Sequence, residues 1–132
     1  KVVKVYSVLI VDDDKELRSI FRKFLERESY TIYEAANGAE ALKFRMNQTP
    51  DVIVMDMLMP MLGGEAVMQR IRQMPALNDT RIVILTAYPR FRESAAYFEA
   101  DRFLVKPIRS DDLVRTIAEV LQKNEPPDAG GS

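Results

Sequence analysis

A chain of 132 residues with 47% hydrophobic content can bury one core without disulfides or a structural metal, so a single domain is expected. Lys and Arg total 19 against 20 Asp and Glu, which removes any bulk electrostatic basis for binding nucleic acid or an anionic membrane. The chain holds no Cys, excluding disulfides, thiolate zinc sites and thiol catalysis, and no His, excluding the commonest general base and any role as a phosphohistidine donor.

The lack of Cys fits a reducing compartment, and no apolar run approaches the roughly 20 residues that span a bilayer. A soluble, cytoplasmic protein is the reading. The chain starts at Lys1 rather than Met and ends in Pro126-Pro127-Asp128-Ala129-Gly130-Gly131-Ser132. It reads as a piece of something longer, with a folded domain over 1–124 and a flexible tail, linker or cloning remnant over 125–132.

In chain order, the apolar run Val8 to Val11 stops at Asp12-Asp13-Asp14, and Leu17, Ile20, Phe21, Phe24 and Leu25 follow at helical spacing. The spacing predicts a buried strand and then an amphipathic helix. Tyr30 to Ala35 reads as a second strand, and Ala39 to Met46 as a short helix entered through Asn37-Gly38. Val52 to Met55 is a third strand that ends on Asp56; beyond the Met59-Pro60 loop, Val67, Met68 and Ile71 give a third helix its apolar face. Ile82 to Leu85 forms a fourth strand. Phe91 to Ala100 reads as a helix without a clean apolar stripe, a candidate moving part. Phe103 to Val105 makes a fifth strand, and Ser110 can cap a last helix with Asp111 and Asp112 in its first turn and Leu113, Val114, Ile117, Val120 and Leu121 inward.

Strands of near-continuous apolar residues alternating with helices imply an α/β fold, a parallel sheet of five strands covered by helices on both faces. In such open sheets the ligand site lies beyond the carboxyl ends of the strands, where strand order reverses. Four of the five strand ends carry a polar group: Asp12 and Asp13, Asp56, Thr86 and Lys106. Three carboxylates without His or Cys make a hard oxygen site suited to magnesium, with manganese as the alternative. A divalent cation and the Lys106 ammonium would keep the carboxylates ionised, and an aspartate is a known covalent acceptor of phosphoryl groups.

Val-Leu-Ile-Val-Asp-Asp-Asp, Val-Ile-Val-Met-Asp-Met-Leu-Met-Pro, Ile-Val-Ile-Leu-Thr-Ala and Phe-Leu-Val-Lys-Pro resemble, in order and spacing, the receiver family of two-component response regulators. The resemblance runs from residue 7 to about residue 123. It implies the flavodoxin-like strand order 2-1-3-4-5 and a phosphoryl acceptor at Asp56, served by a histidine kinase or histidine phosphotransfer protein. Asp13, Asp56 and the main-chain carbonyl of Leu58 would hold magnesium, Asp12 acting partly through water. Lys106 would pair with the phosphoryl group, Thr86 and the Ala87 backbone would hydrogen-bond its oxygens, and Phe103 matches an aromatic whose rotamer follows Thr86. A cis Lys106-Pro107 bond, a regulatory rather than enzymatic role and a homodimer through the face of the fourth and fifth helices are further implications.

Each residue also has a plainer reading. An isolated Asp triplet is ordinarily a helix cap, and Asp14 is expected to be one. Thr86 and Lys106 taken singly are structural, and Phe103 and Tyr88 are ordinary core or partner surface. Only joint placement at the strand ends reverses those readings.

The chain departs from the family in two places, and it carries Leu58 and Tyr88 at two positions that family members vary. Gly63 replaces a common Asp, predicting a weaker cap on the third helix; Glu99 replaces a Gly, leaving the end of the fourth in doubt. Leu58 and Tyr88 cannot act as water-orienting amides or carboxylates, which predicts slow phosphate loss. Two rivals remain: an aspartyl-phosphate-forming phosphatase, disfavoured by Leu58 where a second acid is needed, and a degenerate receiver used for binding only, disfavoured by the complete polar set. Direct nucleic-acid binding is not expected, since Arg90, Arg92 and Arg102 form the only modest basic group.

Overall fold

The computed structural model describes residues 4–45 and 48–122; the expected end of the second helix at Met46 and the tail over 125–132 lie outside them. Five parallel strands, β1 (Ser7–Val11), β2 (Thr31–Ala35), β3 (Val52–Met55), β4 (Arg81–Thr86) and β5 (Arg102–Val105), form one sheet in the order β2-β1-β3-β4-β5. The sheet therefore has the predicted order. Five helices connect and follow the strands: α1 (Lys15–Glu26), α2 (Gly38–Arg45), α3 (Gly64–Ile71), α4 (Arg92–Tyr97) and α5 (Ser110–Gln122).

The period-two alternation of strand side chains splits the core into two layers. Val8, Ile10, Val52, Val54, Val83 and Leu85 pack with Phe21 and Leu25 of α1 and Leu113, Ile117, Val120 and Leu121 of α5. Leu9, Val11, Ile53, Met55, Ile82 and Ile84 face Val67, Met68 and Ile71 of α3, Ala41 of α2 and Ala95 of α4. Both faces are thus covered, which is why the central strands read as unbroken apolar runs.

Local chemistry fixes the helix ends. Asp14 caps α1, its carboxylate accepting from the Leu17 N–H at 3.1 Å, as expected of that residue. Asn37 Oδ1 accepts from Glu40 N–H at 2.9 Å while the Glu40 carboxylate accepts from Ala36 N–H at 2.8 Å, a reciprocal pair that opens α2. Gly38 is required there, because a Cβ would collide with the Leu62 carbonyl and Val67. Gly63 stands at the N-cap of α3 with no side-chain cap bond, the weakness the sequence predicts.

Three expectations need correction. The fourth helix is not Phe91 to Ala100 but the six residues Arg92–Tyr97, entered through a 3-10 turn over Pro89–Phe91. Proline fits the first position of such a turn, and with only Ala95 buried no apolar stripe sustains a longer helix. Glu99, at φ 60°, then turns the chain toward β5. Ile20, placed on the apolar stripe of α1, is 48% exposed; Phe21 and Leu25 carry the burial instead. Ser110 is the first residue of α5 rather than its cap, and the Arg109 carbonyl accepts the opening bonds from Asp112 and Leu113. A second 3-10 turn, Pro75–Leu77, has no counterpart in the sequence reading, although it buries Leu77 completely.

Candidate functional site

Strand order reverses between β1 and β3, the arrangement that opens a crevice at the carboxyl ends of an α/β sheet. Asp12 follows β1 and Asp56 follows β3, so the two acids flank that point. Asp12 N–H donates to Ala35 O at 3.1 Å and Asp56 N–H to Val11 O at 3.0 Å, continuing the ladder one residue past each strand. Asp12 is 4% and Asp56 6% exposed, unusual burial for carboxylates and costly without compensation.

Compensation comes from β5. The Lys106 N–H donates to Thr86 O at 2.8 Å, which registers the end of β5 against β4 and sends the lysine side chain back across the sheet edge. Its ammonium bonds Asp12 Oδ2 at 2.8 Å and Asp56 Oδ2 at 2.9 Å. The Lys106-Pro107 bond is cis, as the resemblance implies. The other oxygens are held by main chain: Asp12 Oδ1 accepts from Asp14 N–H at 2.9 Å and Asp56 Oδ1 from Leu58 N–H at 3.2 Å.

Ligand oxygens of Asp12, Asp13 and Asp56 lie within 4.8 Å of one another. Three carboxylates against one ammonium leave the group short of positive charge. Burial raises the Asp12 carboxyl above its ordinary value of 3.8, against the bonds from Lys106 and the Asp14 N–H. For Lys106 burial acts downward, yet the two carboxylates hold the ammonium above its ordinary 10.5. The lysine therefore stays charged, and the acidic set as it stands favours taking up further positive charge, a proton or a cation. An all-oxygen donor set of this size, with one carboxylate free of protein partners among the described residues at the exposed Asp13, fits magnesium.

A cleft of ≈ 450 Å³ opens over these groups, lined by Asp13, Asp56, Leu58, Ala87, Tyr88 and Lys106. A slightly larger groove of ≈ 510 Å³ beside Leu42, Met61 and Leu62 does not include the clustered carboxylates. The clustered carboxylates open into the smaller cavity. Gly64 lets α3 start close beneath the cleft: its N–H donates to Met57 O at 2.9 Å, and a Cβ would press on the Asp56 carbonyl oxygen at 2.8 Å.

Of the residues singled out in the sequence, Asp12, Asp13, Asp56 and Lys106 are brought into one cluster, and Leu58 and Ala87 line the cleft above it. Thr86 is fully buried at the end of β4, its Oγ1 accepting from Tyr88 N–H at 3.4 Å. Phe103 stands apart from the acids, opposite Ile84 in the register and on the layer of α2, α3 and α4, with the Arg92 guanidinium 4.7 Å from its ring centroid. Sequence reasoning missed Arg18, whose guanidinium bonds the Asp12 carbonyl and Glu34. The available signal was a pair of arginines four residues apart on α1 with a single acid, Glu34, on the neighbouring strand.

Comparison with known proteins gives the same answer as the geometry. The family model for the response regulator receiver domain matches residues 8–118. The transcriptional regulatory protein ResD of Bacillus subtilis is 36% identical over 119 residues, 89% of this chain and 48% of that protein. The response regulator MprA of Mycobacterium leprae is 34% identical over 127 residues, 95% of this chain and 55% of that one. The chain thus spans about half the length of these curated relatives. Among solved structures, the signal receiver domain of a histidine kinase from Syntrophus aciditrophicus superposes with a TM-score of 0.85 at 27% identity, over 95% of this chain and 96% of its own. The response regulator TrrA of Thermotoga maritima, solved in complex with Mg(2+)-BeF, gives 0.78 at 32% identity over 88% and 99%. With its sheet order, its acidic strand ends and a family match over most of its length, the chain belongs to the response regulator receiver domain family.

Proposed function

We propose that residues 1–124 are a phosphorylation-dependent signalling switch, in which Asp56 accepts a phosphoryl group from a phosphohistidine of a sensor kinase or phosphotransfer protein. The observation that carries this reading is the Asp56 carboxylate itself. It is 6% exposed, held by Lys106 on one oxygen and the Leu58 N–H on the other, and set beside two further carboxylates.

In the transfer an Asp56 oxygen attacks phosphorus, an O–P bond forms, the P–N bond to the donor imidazole breaks, and the imidazole leaves with the electron pair. The chain has no His, so the donor histidine lies outside these residues. Lys106 would turn from the Asp12 and Asp56 carboxylates to an oxygen of the phosphoryl group, while the Thr86 hydroxyl and the Ala87 N–H would take up others. Asp13, Asp56 and the Leu58 carbonyl, with Asp12 acting partly through water, would hold magnesium or manganese; the bound cation supplies neutralisation of the phosphoryl charge. The reaction is a single transfer rather than a turnover cycle, because Leu58 stands where a phosphatase of this chemistry needs a second acid.

Leu58 at 47% and Tyr88 at 37% exposure flank the cleft, and neither side chain orients a water for hydrolysis. Phosphate loss is therefore slow; a half-life of only seconds in the purified, phosphorylated chain would contradict this. Phosphorylation would draw Thr86, and with it Phe103, toward the cleft and reshape the face of α4, β5 and α5, the surface also proposed for a homodimer. The cytoplasm is the proposed compartment; among the described residues no helix is long and apolar enough to cross a membrane. Any nucleic-acid contact is assigned to a region outside this chain, since the curated relatives, one of them called a transcriptional regulatory protein, are about twice as long.

The test is intact mass after incubation with acetyl phosphate, with and without magnesium, for the wild type and Asp56→Asn. One added phosphoryl group, not formed when magnesium is omitted and absent in the variant, is the expected result; no addition under any condition would leave a binding-only module.

A further inference from the structure

We infer that Arg18 is a positioning residue for the divalent-cation site, acting by locking the peptide plane between Asp12 and Asp13; the inference rests on the function proposed above. Asp13 is exposed, and among the described residues no hydrogen bond or ion pair holds its carboxylate, unlike those of Asp12 and Asp56. Its aim is therefore set by the main chain that carries it. That main chain is gripped on both sides of Asp12. The N–H donates to Ala35 O at 3.1 Å, and the carbonyl, which belongs to the Asp12-Asp13 peptide, accepts from Arg18 Nη1.

Arg18 can do this because helical side chains lean toward the N-terminus, so a residue in the second turn of α1 covers the first turn and the strand end before it. Its side chain is only 12% exposed. It is itself braced: Nε donates to Glu34 Oε1 at 2.9 Å, and Arg22, one turn on, donates from Nη1 to Glu34 Oε2 at 2.9 Å. Glu34 sits on β2 opposite Ile10 of β1, so the brace is tied to the strand that delivers Asp12. A planar fork bonded to two acceptors at once is a task for guanidinium, which an ammonium on a flexible stem performs poorly.

Charge and geometry make opposite predictions here. An arginine near a cation repels it, so deleting Arg18 would tighten cation binding if charge alone counted. If Arg18 positions Asp13, deletion weakens it, as loss of the groups that orient metal ligands does, by 10-fold to 100-fold in general.

The experiment is calorimetric titration of magnesium chloride into the wild-type chain, Arg18→Met and Arg18→Lys, with thermal unfolding of each in the absence of magnesium. Binding weakened about tenfold in both variants is the expected result. The lysine variant keeps the charge and most of the packing, so it carries the test should the methionine variant fail to fold. Unchanged or tighter binding in Arg18→Met, or wild-type affinity in Arg18→Lys, would overturn the positioning role while leaving the magnesium site intact. Absence of magnesium binding by the wild type would instead overturn the proposed function, and this inference with it.

Discussion

The two halves of the sheet's carboxyl edge are built differently. On the side of β1, β3 and α1 the strands are buried almost throughout, and α1 is twelve residues long, capped by Asp14 and anchored by Phe21 and Leu25. On the side of β5 and α4 every strand residue is only half-buried, and the helix is six residues long, without a side-chain cap and with Ala95 alone buried. The first half supplies the carboxylates. The second lies beside Thr86 and Lys106, the groups that a bound phosphoryl would draw on. A segment with little buried apolar surface opens at low free energy, so rigidity is placed where the site is held and compliance where a signal would leave it.

Substitution in the two helices should expose this contrast. Leu25→Ala removes a fully buried side chain and is expected to cost about 2–5 kcal/mol, read from urea unfolding, whereas Tyr97→Ala on α4, at 80% exposure, should change stability by no more than about 0.5 kcal/mol. Equal losses would erase the distinction.

Polar clamps add to the packing of Phe98 and Ala100 at the far end of α4. Arg72, just past α3, donates from Nε to Phe98 O at 2.8 Å and from Nη2 to Glu99 O at 2.7 Å. Arg72→Met should cost roughly 1.5–3 kcal/mol locally, seen as faster amide exchange through α4 with α1 unchanged. Exchange accelerating equally in both helices would mean that α4 is no separate unit.

The rigid half carries its own ion network, and its pH dependence has a definite sign. Burial tends to raise the Glu34 carboxyl, but the bonds from Arg22 and Arg18 hold it below its ordinary value of 4.5. A carboxyl depressed in the folded state stabilises above 4.5 and loses that contribution as pH falls through the depressed value. Glu34→Gln should therefore cost about 1 kcal/mol at neutral pH and progressively less in acid, measured by denaturant midpoints at each pH. A cost that grows in acid would refute the assignment.

The smallest effect has the opposite sign. Glu99 occupies the left-handed region at φ 60°, a conformation that costs an L-residue roughly 1–2 kcal/mol, of which glycine's greater freedom when unfolded takes back about 0.5–1. Glu99→Gly should leave a net gain of about 0.5 kcal/mol in the same unfolding experiment, since the clamp on its carbonyl is a main-chain contact.

The strands were legible in the sequence because a doubly covered parallel sheet writes itself as apolar runs, and the cluster because Asp12, Asp56 and Lys106 immediately follow such runs and Asp13 comes one residue later. What escaped depends on packing between distant segments. Nothing in the spacing of α1 shows that Ile20 faces solvent while Phe21 and Leu25 face inward; the direction of the stripe is set by α5 against the sheet. The length of α4 escaped because its residues have helical propensity but no buried stripe, and Pro89 and Glu99 shorten it from both ends. The bonds of Arg18 to Asp12 and of Arg72 to Phe98 join residues whose proximity only the folded chain creates.

The central claim is that Asp56, and neither of its acidic neighbours, forms the bond to phosphorus. Borohydride reduction of the chain after treatment with acetyl phosphate and magnesium, followed by peptide mapping, tests it directly, because reduction converts a phosphorylated aspartate to homoserine. Homoserine at position 56 alone is the predicted result; homoserine at position 12 or 13, or at none of the three, would contradict it.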